Sequence, residues 1–219
     1  MIFRLVRSVA IMAVFLLICS PAMAQQPAGT IERQKGDASR SLSGSTASLS
    51  EGAAVFSGDT VKTGAGSRLV IRFSDGSSLT LGEKAEMLID EMVFDADATG
   101  PSVGRQALLM TVGVFRYTSG QIGKTSLSQV VFGTPVATIG IRGTDFVGGE
   151  LTVGMPPGQP HYGFQIQEGA IQVITPQGSV ILDEPGEGTF LPLAGGRPPT
   201  PVRQWTAEEA AEAQALLAF

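Results

Sequence analysis

Arg68-Leu69-Val70-Ile71-Arg72-Phe73-Ser74-Asp75-Gly76-Ser77-Ser78-Leu79-Thr80-Leu81 decides the fold class of this 219-residue chain. Leu69, Ile71 and Phe73 fall on one side of an extended backbone, and both arginines fall on the other. Leu79 and Leu81 then resume the same period of two, which is the period of a strand. Asp75-Gly76 stands between the two runs. An Asp-Gly pair in that place signals a hairpin, because both positions tolerate positive φ. Residues 68–82 are therefore expected to form a hairpin with Asp75 and Gly76 at its tip.

Working outward, the same period returns along most of the chain. A short strand over 59–64 is closed by Gly64-Ala65-Gly66, and another runs over 87–94. Leu108, Met110, Val112 and Val114 alternate, with Gly113 as a bulge or a point of close approach, and 116–121 closes that unit. Residues 130–132 and 136–146 form the next pair. Phe164 and Ile166, Ile171 and Val173, Val180 and Leu182 continue the alternation, with Glu168-Gly169 and Gln177-Gly178 as turns. No helical crossover of about 10–15 residues separates these runs, so a parallel α/β sheet is not expected. Short strands at regular turn spacing predict an all-β fold: an antiparallel sandwich or roll, or a short β-solenoid-like domain. The 28 glycines and the low charged fraction, 16%, agree with many tight turns.

The ends differ from this body. Arg4 and Arg7, an apolar run from Val9 to Ile18, and Ala22-Met23-Ala24 describe a secretory leader. The run is shorter than the roughly 20 residues that span a bilayer. The expectation is a signal peptide over 1–24, cleaved after Ala24, and a periplasmic or secreted product with no stable membrane insertion. Residues 25–52 are expected as a flexible N-terminal segment or a first strand and loop. Within them, the Ser- and Gly-rich stretch 36–50 is expected as a loop or a weakly packed excursion. Residues 53–194 would be the β domain, and 195–219 a Pro/Gly-rich linker and a C-terminal helix. Thr206 can cap that helix, and Glu208 and Glu209 suit its positive end. So short a helix is marginal alone, and is either frayed or docked through Trp205, Leu216 and Leu217.

Composition excludes several chemistries. Cys19, in the leader, is the one cysteine, so the exported product would carry no disulfide, thiolate metal site or cysteine nucleophile. Loss of the leader, with two arginines and no acid, takes the formal charge from −5 to −7. An acidic chain without a basic stripe is not expected to bind nucleic acid. His161, the one histidine, lies after Pro156-Pro157-Gly158-Gln159-Pro160 and is expected as an exposed loop residue, with no G-x-S-x-G elbow to make a triad. Asp95-Ala96-Asp97-Ala98-Thr99-Gly100 opens like a calcium loop, but its twelfth position is Gln106, and a solvated acidic turn is the better reading. No catalytic residue, metal or cofactor is expected.

One further segment stands out: Thr134-Pro135-Val136-Ala137-Thr138-Ile139-Gly140-Ile141-Arg142-Gly143-Thr144-Asp145-Phe146. Arg142 and Asp145 are three apart, so a regular strand would point them to opposite faces, whereas a bulge at Gly143 would bring them to one side. The favoured reading is structural, with Arg142 bracing carbonyls or an acid such as Asp59, Asp75 or Asp145. A partner-binding patch is the competing one.

This segment resembles the FecR family, named for the regulator of ferric dicitrate uptake, in its T-P-x-A and R-G-T-x-F elements. The likeness extends to Gly58-Asp59, Thr63-Gly64, Phe73 with Asp75-Gly76-Ser77, and Gly113 with Arg116, over roughly 54–148. In iron-uptake regulators of the family, a cytoplasmic anti-sigma segment and a membrane helix precede a periplasmic domain that receives a signal from an outer-membrane receptor. Here a leader takes the place of both parts. The resemblance thus implies an exported, non-enzymatic sensing or interaction module with an envelope protein partner. Thr134, Pro135, Arg142, Gly143, Thr144, Asp145, Asp75 and Gly76 are its motif residues. The alternative is a structural β protein of the envelope that holds polysaccharide or an adhesin. With one tryptophan and two tyrosines, aromatic platforms for sugar are scarce.

Overall fold

A computed structural model describes residues 26–99, 103–125, 129–153 and 161–219. The leader, Cys19, Gly100 and the 156–160 loop lie outside the described residues. In chain order the strands are β1 (Gly29–Lys35), β2 (Ala38–Leu42), β3 (Ser45–Ser48), β4 (Ala54–Val55), β5 (Thr60–Thr63), β6 (Arg68–Phe73), β7 (Ser78–Leu81), β8 (Glu86–Phe94), β9 (Gly104–Val112) and β10 (Val114–Thr118). A short helix α1 (Gln121–Thr125) follows. Then come β11 (Val130–Gly133), β12 (Thr138–Leu151), β13 (His161–Thr175), β14 (Gly178–Leu182), β15 (Glu187–Pro192), β16 (Arg203–Gln204) and α2 (Ala207–Leu217). The result is a curled, mostly β half-barrel with a short C-terminal helix. Of the expected architectures, the rolled sheet is the one formed.

The spine is the long hairpin of β12 and β13, paired from Thr138↔Ile174 to Leu151↔His161. The other edge of β12 serves two wings. Its first residues pair β11, and from there the sheet runs β9-β8-β5-β2-β3. Its later residues pair β10, and from there the sheet runs β7-β6-β1-β4. The wings curl until their inner faces meet. Phe132 of β11 stacks on Phe115 of β10 at 4.5 Å between ring centres, and Phe146 of β12 lies edge-on to both. Rings so placed are each worth roughly 1.5–3 kcal/mol of burial. The inward residues of the quoted hairpin, Leu69, Ile71, Phe73, Leu79 and Leu81, belong to this same core.

Several expectations change. The stretch 36–50 holds the β2–β3 hairpin, closed by Ser43 and Gly44, both at positive φ. That two-residue turn matches strand twist without any apolar alternation to announce it. Glu168-Gly169 is not a turn: β13 continues through it, with an irregularity in its pairing to β12. β9 and β11 pair in parallel, whereas the other ladders among the described residues are antiparallel. The reason is topological. The chain leaves β9 at Gly113, crosses to the other wing as β10, and returns through α1, a connection long enough to reverse direction. His161 is 1% exposed, opening β13 with its ring edge-on to Phe190, and is not a loop residue.

Helix α2 is docked. Ala213 and Leu217 pack on Val114, Val147, Leu151 and Trp205 in a second, smaller core on the outer sheet face. Thr206 caps Glu209 N, and the Glu209 carboxylate returns to Thr206 N, a complete capping box. Among the described residues no helix is long and apolar enough to cross a membrane.

Candidate interaction surface

The motif segment begins as a turn. Thr134 Oγ1 both donates to the Ala137 carbonyl, at 2.8 Å, and accepts from Ala137 N, at 3.1 Å, around Pro135 and Val136. Proline supplies the fixed φ that such a corner needs. The chain then enters β12 with Ile139 and Ile141 inward.

At Gly143 the phase changes. Arg142 is opposite Ala170 and Asp145 is opposite Glu168, so Gly143 and Thr144 together face the single residue Gly169. Gly143 has φ +55 and Gly169 has φ +79. A Cβ on Gly169 would overlap the Gly143 carbonyl oxygen, so two glycines facing each other permit the bulge. Beyond it, Thr144 and Phe146 point inward. Arg142 and Asp145 therefore share the outer face.

They do not pair. Asp145 accepts two hydrogen bonds from Arg116 of β10, at 2.8 and 2.6 Å. That contact raises the Arg116 pKa above its ordinary value, against the opposing effect of partial burial. The other acids proposed for Arg142 are also engaged. Asp59 is fully buried; Arg40 donates to both its carboxylate oxygens and Phe56 N donates to one of them. Asp75 accepts from Ser77 N and Oγ and from Ile122 N. Arg142 itself is exposed and makes no ion pair among the described residues. The cross-brace expected of Arg142 is thus supplied by Arg116. Ordinary alternation after Ile141 leaves Arg142 to solvent, the bulge turns Asp145 to the same face, and strand pairing places a different arginine beside the acid.

Beneath this face lies a buried polar chain. Tyr117 donates to Gln106 Oε1 at 2.5 Å, Gln106 Nε2 donates to Ser77 Oγ at 3.1 Å, and Ser77 Oγ donates to Asp75 at 2.6 Å. Burial pushes the Tyr117 phenol far up, and the nearby Asp75 charge adds to it, while the Ser77 contact opposes. Gln106, the twelfth position of the supposed calcium loop, belongs here and not to that loop. Its place on the same inward set as Leu108 and Met110 was the available signal. Thr144 joins from β12, its N–H donating to Ser119 Oγ at 2.9 Å and its carbonyl accepting from Ser119 N at 2.8 Å. The structure thus brings Asp75, Gly76, Thr144 and Asp145 around one wing junction, and leaves Thr134 and Pro135 at the far end of β12.

On the outer face, Arg116 also borders a groove of about 400 Å³ between the sheet and α2, which Arg33, Gln165, Leu217 and Phe219 help to line. The Arg33 guanidinium lies 4.2 Å above the Phe219 ring.

In this all-β roll the D-G-S tip and the R-G-T bulge meet at one wing junction, and the T-P-x-A turn lies at the other end of β12. The profile of the family described as FecR protein matches residues 59–180, more than half of the chain. This chain belongs to the FecR family. Among solved structures it is similar to a candidate anti-sigma factor from Parabacteroides distasonis ATCC 8503, seen in crystals at 2.50 and 1.65 Å resolution. Both align with a TM-score of 0.49 and 12% identity, over 69% of this chain and 62% of that one. The chain therefore spans less than two thirds of that protein's length. No curated protein matches it.

Proposed function

We propose that this chain is an exported, non-enzymatic FecR-type module of the cell envelope, which senses or relays a signal through protein contacts. Membership of a regulatory family supports the class, and Ala22-Met23-Ala24 supports a periplasmic or secreted product cleaved after Ala24. The observation that carries the contact reading is Arg142. Its guanidinium lies on the outer face without an ion pair among the described residues, and Asp145 on the same face is already held by Arg116. An exposed cation without an ion pair among the described residues suits an acidic group on another protein. The polysaccharide alternative loses support, because Trp205, Tyr117 and Tyr162 are all buried and leave no tryptophan or tyrosine platform for a sugar.

Two measurements test the proposal. Mass spectrometry of the fractionated protein should find an N-terminus at Gln25 in the envelope or medium; a product retaining Met1 would overturn the export reading. Affinity capture from envelope extracts should retain a protein with the wild-type chain and lose it with Arg142→Glu, at unchanged melting temperature. Equal capture by both chains would remove Arg142 from the interface.

A further inference from the structure

A second concavity lies away from the motif. Residues 197–203 fold back over β15 and leave a cavity of about 530 Å³, walled by Pro198, Pro201 and Val202 on one side and by Phe190 and Leu191 on the other. Its size lies within the range of small-molecule sites, and its walls are mostly apolar, as such sites are.

The cavity is held open. Thr200 N donates to the Phe190 carbonyl at 3.0 Å, and Thr200 Oγ1 accepts from Phe190 N at 2.9 Å. The Thr200 carbonyl accepts from Thr189 Oγ1 at 2.8 Å. Prolines at 198, 199 and 201 fix φ on either side of that anchor, so the wall cannot easily fall inward. The floor is equally fixed. Phe190 stacks on Trp205, with ring centres 5.0 Å apart and planes 7° apart, and meets His161 edge-on.

Charge selects the occupant. Arg197 lines the cavity, is exposed, and makes no ion pair among the described residues. Arg203, also on the wall, is held by both oxygens of Glu209. No carboxylate is among the residues that line the cavity, in a chain whose formal charge is −5. We propose that this cavity binds a small amphiphilic anion, an alkyl carboxylate whose apolar part lies along Phe190 and Leu191 and whose head group meets Arg197. A neutral chain of the same length would gain the apolar contacts alone.

Dodecanoate and dodecanol, both below their aggregation range, are the probes. Trp205 is the one tryptophan and His161 the one histidine, so Trp205 emission and the His161 ring signals in NMR both report on Phe190 without labels elsewhere. Dodecanoate should give saturable binding by calorimetry and shift the His161 signals. Arg197→Ala, at an exposed position that leaves folding intact, should weaken dodecanoate about tenfold, the worth of one charge-assisted hydrogen bond, and leave dodecanol unchanged. Val202→Phe, which fills the cavity, should abolish both while keeping the wild-type urea midpoint. Absence of saturable heat and of any His161 shift would overturn the proposal. So would equal dodecanoate affinity in Arg197→Ala. The site is independent of the motif face, and neither result depends on whether Arg142 contacts a partner.

Discussion

Arg116 and Asp145 are joined by two hydrogen bonds across the β10–β12 ladder, just past the bulge that brings Asp145 to the outer face. The pair is half-exposed on its arginine side, so its bidentate geometry does not make it a buried ion pair. Arg116→Ala should lower stability by about 0.5–1 kcal/mol in urea unfolding, less at high salt. Arg142→Ala should stay within about 0.5 kcal/mol of wild type, as expected of an exposed side chain with no internal partner. A loss of several kcal/mol in Arg142→Ala, with Arg116→Ala silent, would reverse the assignment.

The two facing glycines should respond differently. A Cβ on Gly143 meets nothing within 4 Å, so Gly143→Ala pays only for the left-handed backbone, about 1–2 kcal/mol. At Gly169 the added carbon collides with backbone across the ladder, and Gly169→Ala should cost about 3 kcal/mol or more. Thermal melts of the two variants give the comparison. Equal losses would mean that the bulge relaxes freely.

The two tyrosines provide a pH test. Burial raises both phenols, with the Asp75 charge adding at Tyr117 and the Glu150 charge at Tyr162. A folded-state pKa above the unfolded value of about 10 means that their contribution is complete below pH 10 and is lost as pH rises beyond it. Phenolate absorbance should therefore stay flat through that range, then appear in one cooperative step when the protein unfolds in base. Gradual ionisation around pH 10 would show that the core is open. Tyr117→Phe leaves Gln106 Oε1 without its donor and should cost about 1–3 kcal/mol.

Docking of α2 should fail in acid. The hydrogen bonds from Arg203 chiefly, and then from the Thr206 backbone, hold the Glu209 carboxyl below its ordinary value, with burial opposing. Its contribution is present above the unfolded carboxylate range, about pH 4.3, and fades as pH falls through the lowered folded value. Trp205 emission should shift to the red there, before the sheet unfolds by circular dichroism. Glu209→Gln removes the carboxylate from both the Arg203 pair and the capping box, and should produce a comparable shift at neutral pH. Coincident transitions at all wavelengths would mean that helix and sheet unfold together.

Much of the scaffold was legible because strand burial follows a period of two that local side chains declare. The 68–82 hairpin, the strands near 87–94 and 130–132, and the Thr206 cap all follow from residues within a few positions of each other. The family likeness was visible for the same reason, since its turns and bulge are short local runs. What local pattern could not settle was the partner of each charge and polar group. Arg116 and Asp145 are 29 positions apart, and only β10–β12 pairing joins them. Gln106 reaches Ser77 across 29 positions, and His161 is buried because β15 brings Phe190 to it. Even the face of Asp145 waited on the bulge in β12, because one inserted residue flips the side chains that follow it along that strand. Sequence determined the elements and their turns through nearest-neighbour sterics and hydrophobic period. The tertiary structure alone decided which cation met which acid, because strand pairing sets those distances.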